Sequence, residues 1–278
     1  MQRQDLCEKP LKETEFLDFQ LDKDFQIMKD YVATIVKNEK IAENIYAVTF
    51  DLGEEAKVRC GQFGDISVGG THLLRRPIAV CKVDSNEVTF CYQIKGEGTQ
   101  KLKTMGAGVR LNVLMPLGNG FFVEENEKKI ALVGGGVGVF PLISVLREYY
   151  GEKIISAYIG YRNKDAVCGV EEFKKATRFV AVTDDGSYGE QMNAVQAFVA
   201  DLEKGNRPDV VLACGPTPML RALKAVVEKE NLNCFVSLEE RMGCGIGACL
   251  VCVCDMTNGQ HARVCKDGPV FNAKDVIL

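Results

Sequence analysis

The chain has 278 residues, 46% of them apolar and 26% charged, with a net charge of −4. That balance is ordinary for a globular protein; the acidity and the lack of a long basic run exclude nucleic acid as a partner, and no apolar stretch approaches the ~18–20 residues of a membrane-crossing helix. Twelve cysteines without the spacing of a disulfide scaffold point to free or metal-bound thiols in a reducing cytoplasm, and Met1–Asp5 lacks the apolar core of an export signal.

The length accommodates two ordinary domains and a small module. Residues 1–27 carry seven acids, four bases and no clear apolar period, and read as an extension, disordered or docking. From residue 28 to 125 the chain shows short apolar runs divided by Gly, Asn and Asp turns. Tyr31–Val36, Ile45–Leu52, Ile78–Val83 and Glu87–Ile94 are the expected strands, a spacing that suggests an antiparallel β-barrel. Arg75 and Arg76 precede Pro77, Ile78 and Ala79 at the head of one strand. An arginine fork suits a pyrophosphate, although paired arginines equally form a solvated or ion-paired face. Gly96-Glu97-Gly98-Thr99 opens a helical run to Met105, and amides at a helix start with a threonine hydroxyl form a phosphate site. Barrel, arginines and Gly-Thr turn together suggest FAD.

Residues 126–232 alternate strand and helix, which means a parallel, doubly wound sheet. Strands are expected at Lys129–Val133, Ile154–Ile159, Phe179–Thr183 and Asp209–Ala213, and a helix at Pro141–Tyr150. Gly134, Gly135, Gly136, Val137 and Gly138 lie between the first strand and that helix, where a diphosphate can approach the backbone. The run is not a strict G-x-G-x-x-G, and an ordinary strand-to-helix turn reads the same way. Cys214, Gly215 and Pro216 mark the carboxyl end of a later strand, where open α/β sheets bind ligands; Cys214 reads equally as a small core residue.

Residues 233–278 hold Cys244, Cys249, Cys252 and Cys265, spaced C-x4-C-x2-C-x12-C. This is the spacing by which plant-type proteins hold a [2Fe–2S] cluster. Gly243, Gly245 and Gly247 let the loop turn amides toward sulfur. A four-thiolate zinc site or buried structural thiols are the competing readings. Cys254 breaks the frame and reads as a non-ligand.

Barrel, sheet and cluster in this order resemble the ferredoxin-reductase superfamily, and within it the electron-transfer subunits of type B dihydroorotate dehydrogenases. The resemblance rests on Leu74–Ile78, Gly96–Thr99, Pro116–Phe121, Gly134–Gly138, Thr183–Gly189, Ala213–Pro216 and Ser237–Cys249, and covers about residues 30–278. It implies FAD in the barrel, NAD on the sheet domain, and a cluster linking FAD to a separate FMN-containing catalytic subunit, two copies of each in a heterotetramer. That partner oxidises dihydroorotate to orotate in pyrimidine biosynthesis. A single-electron cluster and a hydride-accepting nicotinamide need a flavin between them, so no acid–base residue is expected, and His72 and His261 are the only histidines. Ala79 stands where the family usually has a serine reaching flavin N5. Arg162 follows a strand where a 2′-phosphate is met, while the resemblance favours NAD. The alternatives are a reductase subunit serving ferredoxin, sulfur or an oxygenase, and a non-enzymatic zinc module.

Overall fold

The structure is a computed structural model that describes residues 28–278. The docking or disordered character expected of 1–27 lies outside the described residues.

Six strands close a barrel in the order β1-β2-β5-β4-β3-β6. They are β1 (Lys29–Ala42), β2 (Ile45–Asp51), β3 (Phe63–Ile66), β4 (Arg76–Asp84), β5 (Glu87–Gln93) and β6 (Arg110–Leu117), every pair antiparallel. Period-2 alternation makes the wall: Tyr31, Ala33 and Ile35 face inward while Val32 and Val36 are exposed. Inside, Phe50 and Phe90 meet edge to face at 6.0 Å among Val48, Val88, Val113 and Met115. The helix α1 (Glu97–Lys103) follows its cap Gly96 and lies within the helical run expected from Gly96–Thr99 to Met105.

The second layer is a six-stranded sheet ordered β14-β11-β10-β7-β8-β9. Five strands run parallel: β7 (Lys129–Gly135), β8 (Ile154–Tyr161), β9 (Arg178–Thr183), β10 (Val210–Cys214) and β11 (Asn233–Ser237). The helices α2 (Val139–Tyr149), the single-turn α3 (Val170–Phe173), α4 (Ala194–Leu202) and α5 (Thr217–Lys229) connect them. Every residue of β10 is buried, as a strand covered on both faces requires. Thus the expected barrel and doubly wound sheet are both present.

The C-terminal module forms a small hairpin, β12 (Val253–Asp255) with β13 (His261–Arg263), and then β14 (Val270–Asn272). β14 pairs antiparallel with β11, so the end of the chain completes the edge of the nucleotide-domain sheet. The strand at 233–237, grouped by sequence with the cluster module, sits inside that sheet.

Two further seams fix the layers. On the first, the Glu148 carboxylate accepts the Cys60 N–H at 3.0 Å, Ser144 Oγ accepts the Gly61 N–H at 3.1 Å, and Lys82 pairs with Glu172 at 2.7 Å. On the second, Asn119 donates to the carbonyls of Asp267 and Val270 and accepts from the Val270 N–H, while its own backbone N–H donates to Gly268 O at 2.7 Å. Barrel, sheet and cysteine module are thereby held as one body.

Candidate functional site

Between barrel and sheet runs an open cleft with about 1040 Å³ of space, walled by Arg76, Pro77, Ile78, Ala79 and Thr99 from the barrel and by Val137, Gly138 and Cys214 from the sheet. It is continuous with a second space of about 1270 Å³ over Gly135–Gly138, Arg162, Asp184, Gly215 and Pro216. Gln93, Lys95, Val137, Gly138 and Glu239 belong to both. Two flat cofactors entering from the two ends would therefore meet at the glycine turn. Placement at the carboxyl ends of β7 and β10 is where an open α/β sheet offers its ligand crevice.

The two arginines divide. Arg75 leaves the cleft: its guanidinium bonds both carboxylate oxygens of Asp30, at 2.8 and 3.1 Å, and the backbone carbonyl of Asp65 at 3.3 Å. Arg76 faces the cleft and is held by the carbonyls of Leu74 and Arg75. Gly98 explains its position. A Cβ on Gly98 would fall 1.9 Å from Arg76 Nε, so the guanidinium lies flat over the bare backbone of α1. Thr99 Oγ1 accepts the N–H groups of Lys95 and Gly96 and donates to Gly96 O, which closes the turn rather than leaving the hydroxyl free. Gly96 caps this turn without lining the cleft.

In the sheet domain, Gly138 approaches β10 so closely that a Cβ would sit 2.4 Å from Cys214 O. Gly134 lies beneath, against Leu142 and Ile159, and serves packing. Burial pushes the Cys214 thiol up to about 12, which leaves it neutral and a poor nucleophile. Sequence reading missed Gln93, Lys95 and Glu239. Lys95 and Glu239 approach to 3.8 Å across the cleft mouth, and a pair from such distant segments leaves no local signal.

The four cysteines of the C-x4-C-x2-C-x12-C frame gather as two pairs. Cys244 contacts Cys249, Cys252 contacts Cys265, and Cys244 is close enough to act electrostatically on Cys265. Backbone amides point at the sulfurs: Gly247 N–H at Cys265 Sγ (3.1 Å), Ala248 and Cys249 N–H at Cys244 Sγ (3.3 and 3.4 Å), and Cys265 N–H at Cys252 Sγ (3.4 Å). Despite some desolvation, the amides of Ile246, Cys249 and Ala248 bring the Cys244 thiol down to about 6. Burial and then Cys252 push Cys265 up to about 12. Among the described residues, no three His, Cys, Asp or Glu side chains converge on a single ion. Adjacent thiol pairs instead fit a two-iron core, in which each iron takes two thiolates. Cys254, in β12, lies outside both pairs.

The comparisons agree with this geometry. Residues 239–277 match the iron–sulfur cluster binding domain of dihydroorotate dehydrogenase B, and residues 132–225 match the oxidoreductase NAD-binding domain. The chain is 37% identical over 252 residues to the dihydroorotate dehydrogenase B (NAD(+)) electron transfer subunit of Caldanaerobacter subterraneus, covering 88% of this chain and 98% of the relative. It is 39% identical over 265 residues to that of a Geobacillus species, covering 91% and 100%. Among solved structures it is similar to NADH-dependent reduced ferredoxin-NADP oxidoreductase, with 28% identity and a TM-score of 0.77 over 88% of this chain and 90% of that one. An Amycolatopsis cytochrome P450 reductase, 22% identical with a TM-score of 0.64 over 74% and 67%, shares the fold. Reductase barrel, NAD-binding sheet and iron–sulfur segment make this an oxidoreductase subunit of the ferredoxin-reductase fold that uses FAD, a [2Fe–2S] cluster and NAD. The chain belongs to the family of dihydroorotate dehydrogenase B (NAD(+)) electron transfer subunits, proteins that work beside a catalytic partner.

Proposed function

We propose that this chain carries electrons from an FMN-containing dihydroorotate dehydrogenase subunit, through a [2Fe–2S] cluster and FAD, to NAD⁺, in a cytoplasmic heterotetramer with two copies of each subunit. The observation that carries the reading is the shared wall of the two clefts at Gln93, Lys95, Val137, Gly138 and Glu239, with the cysteine loop on the other side of the barrel strand β3. FAD supplies the conversion between single electrons and a hydride. The residues bind and orient. Arg76 offers charge-assisted hydrogen bonds to a pyrophosphate, and Pro77, Ile78 and Ala79 give a flat wall for the flavin ring. Gly135, Gly136 and Gly138, with Gly215 and Pro216, admit the nicotinamide dinucleotide. Cys244, Cys249, Cys252 and Cys265 hold the cluster, and the amides aimed at their sulfurs tune it. Exposed Ile246, Leu250 and Val251 beside the ligands suit a face covered by the partner.

The test is an anaerobic visible spectrum of the purified chain with iron and sulfide counts, before and after NADH, and then with the partner and dihydroorotate. Flavin and cluster bands that bleach with NADH, and with dihydroorotate only when the partner is present, are expected. A colourless zinc protein, or a preference for NADPH, would overturn the reading. Likeness to NADH-dependent reduced ferredoxin-NADP oxidoreductase supports a second reading, a reductase serving ferredoxin. Bleaching by reduced ferredoxin and not by dihydroorotate with the partner would select it.

A further inference from the structure

Asp65 lies in β3, in the thin wall between the flavin cleft and the cysteine loop. On one side its register partner is Pro77, and two residues earlier Phe63 stands opposite Ala79; Phe63, Pro77 and Ala79 all line the cleft. On the other side the cysteine loop lies directly on the carboxyl. A Cβ built on Gly245, which has φ +71°, would come within 2.9 Å of Asp65 Oδ2 and 3.3 Å of Leu117 Cδ1. Gly245 is next to Cys244, so one side chain touches both the flavin wall and the ligand loop.

The carboxyl is placed at a cost. Asp65 is 2% exposed, and its Oδ1 is the only fully buried side-chain nitrogen or oxygen without a hydrogen-bond partner among the described residues. Two arginines stand near without neutralising it. Arg75 directs its guanidinium to the Asp30 carboxylate and takes only the backbone carbonyl of Asp65, while Arg76 takes the carbonyls of Leu74 and Arg75. Natural proteins rarely bury a carboxylate this way unless a function retains it. Packing alone does not require it, since its cross-strand partner Leu114 is apolar.

We propose that Asp65 is a potential-setting residue for the cluster: its unpaired carboxylate, held between the arginines and Gly245, keeps the cluster harder to reduce than the loop alone would. The inference rests on the reading that Cys244, Cys249, Cys252 and Cys265 carry a [2Fe–2S] cluster. The physics is direct. Reduction adds negative charge to the iron–sulfur core, and a fixed negative charge in a poorly screened interior opposes it. The buried position excludes the water and counterions that screen surface carboxylates. A more negative cluster potential favours onward transfer to the flavin, the direction that NAD⁺ reduction needs.

The experiment is an anaerobic EPR redox titration of the full chain with its cofactors, comparing wild type with Asp65→Asn (isosteric, neutral) and Asp65→Ser (smaller, neutral). Asp84→Asn serves as a control, because Asp84 is an exposed acid paired with Arg147. Iron, sulfide and flavin are counted in each. A positive shift of the cluster midpoint in both Asp65 variants, with Asp84→Asn unchanged and iron retained, is the expected result. An unmoved midpoint with full iron content overturns the role of Asp65 and leaves the cluster reading standing. Loss of the cluster from both variants with flavin intact also counts against it, leaving a purely structural carboxyl. Wild-type protein without iron and sulfide would instead sink the cluster reading itself.

Discussion

At the scale of single residues, the flavin side of the cleft depends on one absent side chain. Gly98 leaves bare backbone under the Arg76 guanidinium, and any Cβ there collides with it. Gly98→Ala is expected to displace Arg76 and lower FAD content several-fold while the melting temperature changes little. Flavin released on heat denaturation measures this. Arg75→Gln breaks the partly exposed pair with Asp30, a contact worth about 1 kcal/mol or less, and a long hydrogen bond to the Asp65 carbonyl, both outside the cleft, and should keep its flavin. Asp65 carries a prediction about pH. Burial raises its carboxyl from 3.8 to about 6, against the pull of Arg75 and Arg76. A carboxyl raised in the folded state adds stability below its unfolded value and loses that contribution as pH rises through the folded value. The melting temperature of Asp65→Asn relative to wild type should therefore climb between pH 4 and pH 7, and a pH-independent difference would contradict the assignment.

At the scale of elements, legibility in the sequence followed the strength of local pattern. β1, β2, β4, β5 and β7 announce themselves by alternation or continuous apolar runs, because their burial is periodic along the chain. β3, with sequence Phe-Gly-Asp-Ile, does not: its glycine and aspartate mimic a turn, and tertiary contacts alone hold it as a strand. β14 is three residues long and exists through pairing with β11. The cysteine frame was legible because metal geometry constrains spacing. The division of labour between Arg75 and Arg76 was not, since it depends on Asp30, 45 residues away in sequence. The Pro116–Phe121 segment shows the same limit. Nothing local in it marks Asn119, which grips 267–270 with three side-chain hydrogen bonds. Asn119→Ala should cost about 2 kcal/mol, given about 1 kcal/mol for each ordinary hydrogen bond and some replacement by water. Iron loss to a chelator should quicken in this variant, and an unchanged rate would show that the seam does not secure the cluster segment.

At the scale of the whole molecule, three seams leave no free hinge between the redox sites. The barrel meets α2 through Glu148 and Ser144, the cysteine module meets the barrel through Asn119, and β14 extends the nucleotide-domain sheet beside β11. The proposed ligands Cys252 and Cys265 are themselves part of the core that also contains β10 and β11 residues Val211, Ala213 and Val236. Carriers mounted on tethered domains must diffuse into register before an electron crosses, and thickening the medium slows them. Here the gap between flavin and cluster is set by a shared β-sheet, as masonry sets the span of an arch. The electron-transfer rate within this subunit, followed by flash photolysis, should therefore be indifferent to added glycerol or sucrose, whereas delivery from a dissociated partner should slow with viscosity.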